Sequence, residues 1–265
     1  MLYFHLIPGS SRMHPIIIGV LALTITASAG AAAAQVEVQP GSNYHYGEIA
    51  DAAAWPISAV GAVTVALNFS HRRFCTGTLV APKLVLTAAH CLFDGSELVK
   101  SGNVRFLAGL NKGVPAAYSV AERLVISKEF TPGPWRQDVA ANDWAIIVLR
   151  NALSIEPVSV KSITRDQLRM VSSTDSVLQV GYGIDRRYLP SIDRKCHVSE
   201  GLDDRAFIYR CLTNPGYSGA PIFADINGTL SVIGIGSGGN KQKRLGMACS
   251  AGQFEKIISE LMQSK

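Results

Sequence analysis

From Trp55 onward the sequence alternates short apolar runs with clusters of Gly, Pro, Asn and Asp. Ala62–Asn68, Leu84–Thr87, Val104–Leu107, Leu124–Ile126, Ile146–Leu149, Val177–Val180 and Leu230–Ile235 are rich in β-branched and apolar residues. Bounded by turn formers, such runs predict strands. Asn227-Gly228 separates two of them and predicts a tight hairpin, because both residue types tolerate positive φ. Only two segments read as helical. One is the short stretch from Thr87 to Cys91, running into Leu92. The other is Gly252–Gln263, where Phe254, Ile257, Ile258 and Leu261 fall on one helical face. The pattern predicts a mostly-β chain closed by a C-terminal helix, without internal repeats.

Residues 1–34 break this pattern. Pro15 to Thr26 is an uncharged apolar stretch behind Arg12, and it runs into small residues ending Ala32-Ala33-Ala34. That is the layout of a cleavable secretory signal, with Met13 as an alternative start. It is short for a bilayer span, which takes about 20 apolar residues; a retained anchor is the alternative. Residues 35–54 are polar and aperiodic, as in a flexible arm or a short propeptide. The chain is 265 residues long, 48% hydrophobic and 17% charged, enough for a real core and too ordered in composition for wholesale disorder. A net charge of +5 is too thin and too dispersed to argue for nucleic acid. Five cysteines leave one over, whatever the other four do.

Three local sequences carry candidate chemistry, in the order His, Asp, Ser. They are Cys75-Thr-Gly-Thr-Leu-Val-Ala-Pro-Lys-Leu-Val-Leu-Thr-Ala-Ala-His90-Cys91, Asn142-Asp143-Trp144-Ala145-Ile146-Ile147-Val148-Leu149, and Asn214-Pro215-Gly216-Tyr217-Ser218-Gly219-Ala220-Pro221. Singly, each has a structural reading: a histidine at a strand end, an aspartate in a turn, a glycine-rich loop. Together they match a chemical need. A serine hydroxyl is a weak nucleophile until a base takes its proton. Histidine can take and return one near neutrality, and a buried carboxylate fixes its tautomer and stabilises the imidazolium. A glycine two before the serine lets backbone N–H groups, here those of Gly216 and Ser218, turn toward a developing oxyanion.

On these motifs the sequence resembles the chymotrypsin-like (trypsin-fold) serine proteases, in particular exported bacterial members. The histidine block is the closest match; the aspartate strand and Val180-Gly181-Tyr182-Gly183 agree as well. The resemblance implies an all-β fold of two six-stranded antiparallel β-barrels with a C-terminal helix, one barrel over 55–155 and the other over 156–265. It further implies His90 as base, Asp143 as its orienting carboxylate and Ser218 as nucleophile, and a disulfide between Cys75 and Cys91. A loop of that size contributes about 3 kcal/mol in the entropic picture, and the bond needs an oxidising compartment. Cys196 and Cys211 flank a hairpin ahead of the nucleophile loop and form the next candidate pair, with two reduced thiols as the alternative. A metal site from Cys196, His197 and Cys211 lacks a fourth ligand. Cys249 has no partner.

The departures from the family are local. Tyr217 stands where the family has Asp or Asn, so the ion pair with a freed N-terminus that activates digestive trypsins cannot form. Ala220 replaces a glycine, which threatens crowding and also breaks the G-x-S-x-G elbow of an α/β-hydrolase. By resemblance the primary pocket is built by Leu212, Thr213, Ser237, Gly238 and Gly239, and backbone groups of Ser237 and Gly239 also pair with an extended substrate as an added strand. Leu212 is not acidic, which argues against cleavage after Arg or Lys. Thr213 and the glycine-rich run resemble glutamyl endopeptidases, but Gly236 stands where those carry a histidine. The expectation is a preference for apolar or small side chains, with acidic ones next. The reading is therefore a secreted or periplasmic serine endopeptidase acting on polypeptides. It is expected as a monomer, with no cofactor or metal, no nucleic acid and no stable membrane association after signal cleavage. The alternatives are a catalytically impaired, protease-like binding protein and an esterase using the same site.

Overall fold

A computed structural model describes residues 47–134, 136–172, 177–211, 214–240 and 245–263. The signal reading over 1–34, and the arm as far as 46, lie outside these. The chain opens with β1 (Glu48–Ile49) and a short turn, then lays down β2 (Val60–Ala66), β3 (Arg72–Ala81) and β4 (Leu84–Thr87). A small hairpin, β5 (Phe93–Asp94) with β6 (Glu97–Leu98), precedes β7 (Val104–Ala108), β8 (Ala117–Ile126), helix α1 (Gln137–Ala140) and β9 (Ala145–Leu149). Strands β2-β3-β4-β9-β8-β7 close into a six-stranded antiparallel barrel. Closure leaves no strand edge open, and the inward-facing Val63, Val65, Leu79, Val85, Phe106 and Ile147 fill it with fully buried side chains.

The second half runs through β10 (Ser159–Val160), α2 (Arg165–Ser172), β11 (Val177–Gly181), β12 (Ser191–Asp203) and β13 (Ala206–Arg210). It ends with β14 (Pro221–Ile226), β15 (Thr229–Asn240), β16 (Leu245–Ser250) and α3 (Glu255–Gln263). The order β12-β11-β14-β15-β16-β13 closes on itself through the β12–β13 pairing, giving the second six-stranded barrel. Its own core gathers Val177, Val198, Phe207, Ile222 and Ile233, with Leu168 and Val171 of α2 packed on it. Asn227 and Gly228 both take positive φ (56° and 82°) in the β14–β15 hairpin, as the turn residues predicted.

The predicted strands are all present, several of them longer than their apolar centres. The hairpin expected between Cys196 and Cys211 is β12 with β13; β12 shows no apolar run because its sequence is polar, yet it alternates as a half-exposed strand does, with Cys196 and Val198 buried and His197 and Ser199 out. The helix expected over Thr87–Cys91 is a single 3-10 turn, Ala89–Leu92, since Thr87 still belongs to β4. The C-terminal helix is present from Glu255. It lays Ile258 on the core of the first barrel, and the Phe254 ring just before it meets Trp144 at 6.2 Å. That core continues into the seam between the barrels through Val180, Tyr182, Phe223 and Ile235. Disulfides join Cys75 to Cys91 and Cys196 to Cys211, and Cys249 is a free, buried thiol.

Candidate active site

His90 sits on the 3-10 turn that follows β4, tied back to β3 by the Cys75–Cys91 bond in the next residue. Arg73 Nη1 donates to the His90 and Phe93 carbonyls, bracing the same turn from β3. Asp143 lies just ahead of β9 and is 1% exposed. A buried carboxylate is costly unless it is hydrogen-bonded. Here three donors converge on it: His90 N–H on Oδ1 (2.9 Å), and His90 Nδ1 (2.7 Å) and Ser237 Oγ (2.5 Å) on Oδ2. With Nδ1 carrying its proton toward Asp143, Nε2 is left as an acceptor, and it lies 2.8 Å from Ser218 Oγ. The structure thus brings His90, Asp143 and Ser218 into one hydrogen-bonded line, with two members from the first barrel and the serine from the second.

Ser237 was expected to serve through its backbone. Its hydroxyl matters as well, for a reason of register. Strand β15 pairs Gly236 with Ala248 and Gly238 with Met247, so Ser237 is bulged out of the ladder and its side chain turns to Asp143. No sequence signal marked this, because a bulge depends on the partner strand.

The loop around Ser218 is shaped by two glycines. Gly216 has φ +99°, and a Cβ there would lie 2.3 Å from the Tyr182 carbonyl oxygen. Gly219 has φ +79°, and its Cβ would lie 2.3 Å from the Thr76 carbonyl oxygen. Neither position accepts a side chain. The Pro215 carbonyl accepts from Ile184 N–H (2.8 Å), and the Tyr217 carbonyl from Ala220 N–H (2.9 Å). In a trans peptide the N–H points opposite its carbonyl, so Gly216 N–H and Ser218 N–H face away from these contacts.

Tyr217 is buried, its ring so close to Gly181 and Gly183 that a Cβ on either would come within 2.7 and 3.0 Å of it. The Ser191 hydroxyl is within reach of its phenol, and Asp185, Arg186 and Asp193 surround it. Burial holds this phenol well above its ordinary pKa, hence neutral. Ala220 is fully buried, and its N–H and C=O are paired with Tyr217 and Gly236. The loop's backbone hydrogen bonds thus close with this methyl group in place.

A pocket of about 270 Å³ opens beside Ser218, lined by Tyr209, Asn214, Pro215, Tyr217 and residues 236–239. This collects Ser237, Gly238 and Gly239 as expected; Leu212 and Thr213 lie outside the described residues. Tyr209 was not anticipated. Its ring crosses the space that Gly246 leaves free, and a Cβ at Gly236 would lie 2.9 Å from its hydroxyl. A histidine at 236 would therefore collide with Tyr209, and the phenol occupies that side of the pocket instead. Burial raises the Tyr209 pKa to about 12. Among the described residues, the cluster with metal-ligand spacing is Cys75, His90 and Cys91, whose sulfurs are bonded to each other. Cys196 and Cys211 are bonded likewise, which removes the metal alternative drawn on them.

A serine, a histidine and a carboxylate in line across the seam of two antiparallel barrels define the class of chymotrypsin-like serine proteases. The family model described as Trypsin matches residues 56–258, and the chain belongs to that family. Among solved structures it is similar to one described as a Glu endopeptidase in complex with MPD, at 16% identity and a TM-score of 0.63. That match covers 83% of this chain and 98% of the other, and it bears on the fold.

Proposed function

We propose that the protein is a secreted serine endopeptidase. Ser218 Oγ attacks the scissile carbonyl carbon as His90 Nε2 takes its proton, and the imidazolium that results is stabilised by Asp143. The tetrahedral oxyanion is received by Gly216 and Ser218 N–H. Collapse passes the proton from His90 to the leaving amine and leaves an acyl-enzyme on Ser218, which water then hydrolyses with His90 again as base. The observation that carries this reading is the continuous line Asp143–His90–Ser218 at 2.7 and 2.8 Å. Two disulfides agree with an oxidising destination.

The pocket supports neutral side chains at the cleavage position. Among the described residues no acidic or basic group lines it, its polar groups include the Tyr209 hydroxyl and Asn214, and Gly238 and Gly239 leave it open. A buried ion there would lack a partner. The glutamate preference carried in the name of the similar solved structure is thus the less supported choice for this chain. A fluorophosphonate probe tests the reading. Labelling of the folded protein is expected, and it is expected to vanish in Ser218→Ala but persist when the distant Ser259 is replaced. A folded protein that takes no label would instead be a protease-like binding protein. Parallel ester and peptide substrates separate an esterase, and a peptide library reads the pocket directly.

A further inference from the structure

We infer that Thr76, a residue of the first barrel with no contact to His90 or Asp143 among the bonds described, is the positioning residue for the oxyanion loop carried by the second. This rests on the endopeptidase reading above and deepens it.

Thr76 follows the half-cystine Cys75 in β3 and is fully buried. A buried hydroxyl is costly without partners, and this one has two, both from the other barrel. Thr76 Oγ1 donates to the Gly216 carbonyl (2.8 Å) and accepts from Tyr182 N–H (3.0 Å). Its backbone adds a third link, with Thr76 N–H donating to the Ser218 carbonyl (2.9 Å). Its own carbonyl accepts from Thr87 Oγ1 (2.8 Å), which holds the whole group to β4, the strand that leads into His90.

The geometry at Gly216 gives these bonds their consequence. At φ +99° the residue has no side chain to lock its conformation, so its two flanking peptides are oriented by what they bond. On one side Ile184 N–H holds the Pro215 carbonyl, which directs Gly216 N–H toward the oxyanion position. On the other side Thr76 Oγ1 holds the Gly216 carbonyl, and the same peptide then points Tyr217 N–H at the Asn214 carbonyl (3.1 Å). Without the hydroxyl, that peptide loses the donor opposing rotation. That peptide joins Gly216 to the Tyr217-Ser218 segment, so its rotation would change the spacing and relative direction of Gly216 N–H and Ser218 N–H, the two oxyanion donors on either side of it. Thr76 N–H meanwhile fixes the Ser218 carbonyl, so one residue sets the backbone on both sides of Tyr217.

Thr76→Val keeps the shape and removes the hydroxyl; Thr76→Ala removes it and leaves room for water; Thr76→Ser restores it. Each is made in the full chain and assayed, below its unfolding temperature, for kcat and KM and for affinity to a peptide boronate, which mimics the tetrahedral oxyanion. Valine and alanine are expected to lower kcat and boronate affinity together by about 10²-fold, the scale of one oxyanion donor, with KM within about threefold. Serine is expected to restore both. Valine and alanine enzymes that fold and turn over like the wild type would overturn the inference, as would a serine enzyme no better than valine. Failure of both valine and alanine to fold would make the hydroxyl a folding requirement and overturn the positioning role. A wild-type protein inert to fluorophosphonate and boronate alike would overturn the endopeptidase reading first, and this inference with it.

Discussion

At the scale of single residues, the acidic partner of the histidine is supported by more than the histidine. Ser237 Oγ shares Asp143 Oδ2 with His90 Nδ1. A hydrogen bond to a charged group is worth about 1.5–3 kcal/mol, so Ser237→Ala is expected to lower kcat by roughly tenfold while leaving KM near its wild-type value. Steady-state kinetics decide it; unchanged kcat would show that the hydroxyl only fills space. Ionisable side chains also predict an alkaline limit. Cys249 and the phenols of Tyr182, Tyr209 and Tyr217 all have raised pKa values, chiefly from burial. A group whose folded-state pKa lies above its unfolded value contributes its full share below the unfolded value and loses it as pH rises. Stability is therefore expected to hold to about pH 9 and then to fall, first through Cys249 and then through the tyrosines. Urea midpoints at about pH 8 and about pH 10.5 measure this, and a flat profile would contradict it. The three motif residues were legible because each sits in a local run with its own chemistry. Thr76, Tyr209 and the hydroxyl role of Ser237 were not, because each acts on a residue far along the chain, and no local spacing records that.

At the scale of elements, apolar runs showed strands where both faces are covered and hid them where one face meets water. Leu84–Thr87, wholly buried, was read to the residue. The 13-residue β12 shows no apolar run, and only the hairpin flanked by Cys196 and Cys211, which it forms with β13, is legible. Helix α2 escaped for a similar reason: only Leu168 and Val171 face the core, and the remaining side chains are mostly polar or charged. Strand β1 was invisible because two residues make no pattern, yet it pairs Glu48 with Ile192 and Ile49 with Ser191. The segment read from sequence as an arm thus ends as part of the second barrel's sheet, and Arg186 fastens Gly47 beside it (2.6 Å). The disulfides act at this scale too, since Cys75–Cys91 fixes the turn that carries His90 to β3. Unfolded but unreduced protein is expected to show one reactive thiol, Cys249, and five after reduction. In the native state that thiol is expected to resist alkylation, being buried with its Sγ 3.2 Å from the Ala141 carbonyl. Thiol counting by mass spectrometry checks both; three or more reactive thiols before reduction would mean a disulfide is missing.

At the scale of the whole molecule, the candidate site exists only where the two barrels meet, so its integrity is a property of their packing. Nothing in either barrel alone places Ser218 Oγ at 2.8 Å from His90 Nε2. The seam is held by the Thr76 bonds, by Tyr182 reaching across to the Leu110 carbonyl (3.0 Å), and by a continuous core in which Val180, Phe223 and Ile235 pack with residues of the first barrel. A shared core favours all-or-none unfolding, whereas barrels that touched only through polar contacts would melt separately. The tryptophans make this testable. All three, Trp55, Trp135 and Trp144, fall between residues 55 and 155, the stretch of sequence that carries the first barrel, while strands of both barrels contribute to far-UV circular dichroism. In Ser218→Ala, which removes the nucleophile and with it self-digestion, urea unfolding followed by tryptophan fluorescence and by circular dichroism is expected to give one coincident transition. Two transitions, with fluorescence changing apart from circular dichroism, would show that the barrels are independent. The alignment of Asp143, His90 and Ser218 would then need a substrate, not the fold, to hold it.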